Sequence, residues 1–184
     1  MKKSPAKPEI VTRDSSIVYR NRWMQVREDR IVRPSGAAGI YGVVEKPDFA
    51  IIAALQDGAL HLVEQYRHPV GARYWEFPQG ASDLPGITPL ELAAAELREE
   101  TGLVAAYVEH VGRLFPAYGF ATQAFDLYLA TGLSDLGVAL EPEEEGLVTQ
   151  AFPVATVERM IVDGTIQDAS TVAAFGLLRL KGIL

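Results

Sequence analysis

Ala95-Glu96-Leu97-Arg98-Glu99-Glu100-Thr101-Gly102-Leu103 is the stretch from which the rest of this chain is read. Residues three and four apart are neighbours on a helix surface, so Glu96, Glu99 and Glu100 share one face. Like charges that close repel, and the cluster is unfavourable unless a cation offsets it. Oxygen-rich sets of this kind suit hard ions such as Mg²⁺ or Mn²⁺. The bland alternative is a solvated acidic stripe. Upstream, Thr88-Pro89-Leu90-Glu91 is a strong helix start: Thr88 caps, Pro89 suits the first helical position, and Glu91 stands where a capping-box partner belongs. Leu90, Ala93, Ala94, Leu97 and Thr101 are predicted to form the opposite, apolar face. Gly102 supplies the left-handed residue that ends the helix.

Before this helix runs Tyr74-Trp75-Glu76-Phe77-Pro78-Gln79-Gly80, a short aromatic strand ending in a Pro/Gly turn. A loop over residues 81–87, containing Pro85-Gly86, joins the two. The unit is strand, loop, acidic helix. Residues 16–20 and 23–32 are β-rich and joined at Asn21, and residues 40–44 form a third strand. Residues 50–55 and 59–65 flank Gln56-Asp57-Gly58, a hairpin signal. Residues 109–114 and 124–130 are predicted to pair after the acidic helix, and residues 146–152 form the last strand. Residues 154–162, stopped by Gly164, and residues 170–180, capped by Asp168 or Ser170, are predicted helices. Strands on both sides of one helix, then terminal helices, define an α+β class.

The 184 residues suit one domain: a tail over 1–9, a strand extension over 10–46 and a main domain over 47–184. The chain contains no cysteine, which excludes disulfides and thiolate metal sites and fits a reducing cytoplasm. Its net charge of −7, with no basic stripe, argues against nucleic-acid binding. No stretch is apolar for long enough to span a membrane. The start, Met1-Lys2-Lys3-Ser4-Pro5, lacks the apolar core of a signal peptide.

The strand–loop–helix unit resembles the Nudix hydrolase family, whose signature is G-x5-E-x7-R-E-U-x-E-E-x-G-U, with U aliphatic. Glu96, Leu97, Glu99, Glu100, Gly102 and Leu103 match its second half. Ala95 stands at the family's Arg position and Ile87 at its first Glu position, and the stretch from Gly80 to Ile87 is one residue longer than the signature. Gln65-Tyr66-Arg67 followed by Trp75-Glu76-Phe77-Pro78-Gln79-Gly80 resembles the ADP-ribose pyrophosphatase branch. The run from Ala151 through Asp168-Ala169-Ser170-Thr171 is also similar to that branch. The resemblance implies an α/β/α sandwich around a mixed sheet, with the N-terminal antiparallel strands as a dimerisation element of a homodimer.

It also implies a reaction: metal-dependent hydrolysis of the pyrophosphate of a nucleoside diphosphate linked to another moiety, with ADP-ribose giving AMP and ribose 5-phosphate as the leading case. Another nucleoside diphosphate sugar, a dinucleotide, or a weakened nucleotide-sensing module are the alternatives. Glu96 and Glu100 are the expected direct ligands of Mg²⁺ or Mn²⁺. Glu99 serves a second ion or a bound water, and the carbonyl of Gln79 is a further ligand by resemblance. The base is expected on the acidic loop before the last strand, with Glu145 first and Glu144 second; the alternative is a solvated loop. Arg67 either clamps a phosphate or forms a surface ion pair. Glu76 reaches the metal or Arg67. Trp23 and Tyr41 stack on the adenine by resemblance, or belong to the core.

Overall fold

The computed structural model describes residues 9–81, 86–137 and 146–184. The described residues form ten strands and three α-helices: β1 (Val11–Arg20), β2 (Gln25–Val32), β3 (Ala38–Glu45), β4 (Phe49–Gln56), β5 (Ala59–Arg67), β6 (Ala72–Glu76), β7 (Gln79–Gly80), α1 (Pro89–Thr101), β8 (Leu103–Leu114), β9 (Phe125–Asp135), β10 (Val148–Pro153), α2 (Val154–Val162) and α3 (Ala169–Leu180). Two compact units divide the chain: Met1–Pro47 with Ala117–Gln123, and Asp48–Pro116 with Ala124–Leu184.

The first unit is an antiparallel sheet in the order β1-β2-β3. Its first turn is built by Asn21, whose side-chain oxygen accepts from the N–H groups of Trp23 and Met24 at 2.9 Å each. β1 begins at Val11, well before the predicted strand. Within the sheet, Asp29 is buried and accepts from Ser15 Oγ at 2.6 Å and Arg27 Nε at 2.8 Å, which satisfies its charge.

The second unit is a mixed sheet in the order β10-β5-β4-β9-β8, with β6 on β5 and β7 on β4. β4 and β9 run parallel at its centre, and the neighbouring pairs are antiparallel. Ala50, Ile51, Ile52, Ala53 and Ala54 are all fully buried, because both faces of β4 are covered. Ala50, Ile52 and Ala54 meet Leu92, Ala93 and Leu97 of α1. Ile51 and Ala53 face Val157 and Met160 of α2 and Ala174, Phe175 and Leu178 of α3. The α/β/α layering is as the family resemblance implied.

Local signals set the elements. Asp57 and Gly58 both have positive φ (52° and 73°), the conformation of a two-residue turn whose twist matches the strands it joins. Thr88 accepts from the Glu91 N–H while Glu91 answers the Thr88 N–H, a complete capping box, and Gly102 closes α1 at φ 75°. β8 starts directly after Gly102, six residues before the predicted strand.

Candidate active site

α1 does not separate its carboxylates from its buried face. Leu92, Ala93, Glu96, Leu97, Glu100 and Thr101 are buried, whereas Leu90 and Ala94 are exposed. The expected apolar face is therefore rotated, and two glutamates point toward the sheet. The space comes from Gly80: a Cβ there would lie 2.3 Å from Glu96 Oε1 and 2.4 Å from its Cδ. Only glycine lets the carboxylate lie against the strand backbone. Beside it, the Gln79 N–H donates to Glu100 Oε2 at 3.0 Å. Glu100 is 2% exposed and Glu96 9%. Glu99 is half-buried.

The segment beneath these carboxylates is anchored along its length. Phe77 is fully buried, and its N–H donates to Thr171 Oγ1 at 3.0 Å. The Pro78 carbonyl accepts from the Ile52 N–H at 3.0 Å. The Gln79 side-chain amide donates to Asp168 Oδ2 at 3.3 Å. Asp168 is the cap of α3, accepting from the Ser170 and Thr171 N–H groups. Asp168 and Thr171 were not singled out as site residues from sequence. The signals in the sequence are the capping character of Asp168 and the similarity of Asp168-Ala169-Ser170-Thr171 to the ADP-ribose pyrophosphatase branch.

Glu76 turns from this segment toward β5. Arg67 pairs with it through Nη2 and also donates from Nε at 3.4 Å, and Gln65 donates at 2.8 Å. Glu76 is 3% exposed, while the Arg67 side chain is 42% exposed. Burial pushes the Glu76 carboxyl above its ordinary value, against the pull of Arg67, with the charge of Asp168 adding to the rise. Arg67 is thus held from one side by a buried carboxylate and open on the other.

Trp23 and Tyr41 belong to the first unit. Trp23 is 60% exposed with the Arg22 guanidinium 5.7 Å from its ring centre, so it is not a core residue. Tyr41 is exposed and donates to the Gly119 carbonyl at 2.9 Å. Glu144 and Glu145 lie outside the described residues. Among the described residues, no group of three or more His, Cys, Asp or Glu side chains is placed to hold a metal ion. Two carboxylates, Glu96 and Glu100, are nevertheless a donor set that suits a hard divalent ion, which can complete its shell with water and substrate oxygens.

A second polar cluster, also unforeseen, lies on the sheet nearby. Ala50 pairs with both Gly80 and Asp126, so Asp126 stands two strands from Gly80 in the same row. Asp126 accepts from Arg113 at 2.6 Å and lies 2.9 Å from His110 Nε2.

Comparison with known proteins agrees with this architecture. Residues 45–175 match the NUDIX domain, and residues 10–44 match the nucleoside diphosphate sugar hydrolase N-terminal domain. An ADP-ribose pyrophosphatase of Mycobacterium tuberculosis is 33% identical over 180 residues, covering 97% of this chain and 86% of the relative. A methanol dehydrogenase activator of Bacillus methanolicus is 29% identical over 91% of both chains. An ADP-ribose pyrophosphatase of Bacillus subtilis is 26% identical over the same shares, 91% of each. A crystal structure of an "ADP compounds hydrolase" superposes with a TM-score of 0.85 at 24% identity, covering 97% of this chain and 98% of the other, a likeness of fold. The class that fold and site define is a pyrophosphohydrolase built on a strand–loop–acidic-helix unit. The chain belongs to the Nudix hydrolase family, whose members generally use divalent metal ions.

Proposed function

We propose that this protein hydrolyses ADP-ribose to AMP and ribose 5-phosphate in a reaction dependent on Mg²⁺ or Mn²⁺. The observation that carries the reading is the burial of Glu96 and Glu100 against the backbone of Gln79 and Gly80. Carboxylate oxygens grouped on one helix face are the donors that hard divalent ions take. Glu96, Glu100 and the Gln79 carbonyl would hold the ion, with Glu99 assigned to the same set. When bound, such an ion neutralises phosphate charge and lowers the pKa of water. Glu145, with Glu144 as the second choice, accepts the proton of the attacking water. Arg67, fixed by Glu76, presents its open edge to a phosphate oxygen. Trp23 and Tyr41 offer exposed rings to the base.

The substrate assignment is supported by the two ADP-ribose pyrophosphatases among the relatives. The same reading makes the protein a cytoplasmic homodimer joined through residues 10–46, where Ile17, Val18, Tyr19 and Ile40 are exposed. No helix among the described residues is long and apolar enough to cross a membrane. A second reading, a nucleotide-sensing module with weakened hydrolysis, is favoured by Ala95 and Ile87 at two signature positions. Release of AMP from ADP-ribose, with Mg²⁺ and with EDTA, separates the two. Divalent-dependent release supports the enzyme, and nucleotide binding without release supports the sensor.

A further inference from the structure

Asp168 sits at the junction between α3 and the floor of the candidate site. Its Oδ2 accepts from the Thr171 N–H at 2.8 Å, the Thr171 hydroxyl at 2.7 Å and the Gln79 side-chain amide at 3.3 Å. Thr171, fully buried, accepts in turn from the Phe77 N–H at 3.0 Å. The Gln79 peptide held this way is the one whose N–H donates to Glu100 Oε2. One residue therefore separates Asp168 from a buried glutamate of α1, although Gln79 and Asp168 are 89 positions apart in sequence. A carboxylate oxygen can serve several donors at once, and an asparagine would turn a donor toward at least some of them. Partners one shell out from a ligand fix its orientation and are felt in ion affinity.

We propose that Asp168 is a positioning residue. By holding Gln79 directly and Phe77 through Thr171, it sets the Gln79 peptide and with it the Glu100 carboxylate for a divalent cation. The inference rests on the cation role given above to Glu96 and Glu100. A residue that merely caps α3 would alter stability and leave the ion affinity of folded protein unchanged.

The test uses the full chain and two Asp168 variants that retain capping side chains, Asp168→Asn and Asp168→Ser. Gln79→Leu removes the same contact from its other end, keeping the peptide and leaving the α3 cap untouched. Binding of Mn²⁺ alone is followed by the resonance signal of the free ion, and exchange of the Gln79 amide by NMR. Each single variant is expected to weaken Mn²⁺ binding about tenfold or more and to speed Gln79 exchange. Asp168→Asn combined with Gln79→Leu is expected to be no weaker than the worse single change, because both remove one contact. Wild-type Mn²⁺ affinity in folded Asp168 variants overturns the proposal, as do losses that simply add. If neither Asp168 variant folds, Gln79→Leu decides: unchanged affinity there overturns it. Wild-type protein that binds Mn²⁺ yet releases no AMP from ADP-ribose contradicts the substrate reading alone; wild-type protein that binds no Mn²⁺ overturns both.

Discussion

The carboxylate of Glu96 occupies the space in which a side chain at position 80 would begin, with Oε1 only 2.3 Å from where a Cβ on Gly80 would stand. That relationship joins a two-residue strand to a helix and places an acidic group against a backbone.

Gly80→Ala is therefore expected to displace the Glu96 carboxylate. The end of a flexible side chain gives way, so stability to urea is expected to change little, whereas divalent-dependent turnover is expected to fall about tenfold or more. Unchanged turnover would show that the placement of Glu96 against Gly80 does not matter to the reaction.

Glu100→Gln keeps an oxygen to accept the Gln79 N–H but removes the charge. The fold is expected to survive, because the amide keeps the acceptor that the Gln79 N–H uses. Turnover is expected to fall by about a hundredfold or more, since losing a ligand costs at least as much as losing an outer partner. Initial rates at saturating Mg²⁺, with a melting curve for each protein, check both halves.

Glu76 makes stability depend on pH. Its folded-state value is raised by burial above that of the unfolded chain. A raised carboxylate contributes stability that is fully present below its unfolded value and is lost as pH rises through the folded one. Glu76→Gln removes this term. Its stability relative to wild type is expected to rise as pH climbs from below the usual glutamate value to neutrality, and to level off beyond. Denaturant midpoints of both proteins across that range measure it, and a constant difference would contradict it. Any constant offset reports the lost partner of Arg67 instead.

Trp23 is largely exposed, so Trp23→Ala is expected to change stability by no more than about 0.5 kcal/mol. A ring that stacks on a base contributes about 1–3 kcal/mol, which corresponds to roughly a 5- to 150-fold rise in KM with kcat little altered. A KM equal to wild type would remove Trp23 from the substrate contacts.

Much of the scaffold is visible in the sequence because it is locally encoded. Thr88, Pro89, Glu91 and Gly102 bound α1 through its caps, Asp57-Gly58 turns the central hairpin, and α2 spans Val154–Val162, the helix expected before Gly164. What is not visible depends on distant partners. The wheel of α1 suggested an apolar face through Leu90 and Ala94, but Gly80 makes room for Glu96 and the helix settles with Leu92 inward. β7 is too short to carry a pattern, and the early part of β8, Leu103-Val104-Ala105-Ala106, lacks the alternation that marks a strand. The contacts of Asp168 with Gln79, and of Asp126 with Arg113 and His110, join separate elements and leave no periodic trace.

The most direct measurement is AMP release from ADP-ribose by the purified protein, in Mg²⁺ or Mn²⁺ and again in EDTA. Release is expected with either ion, despite Ala95 and Ile87, and EDTA is expected to abolish it. Folded protein that releases no AMP with either ion, or that releases it equally in EDTA, would contradict the proposed reaction.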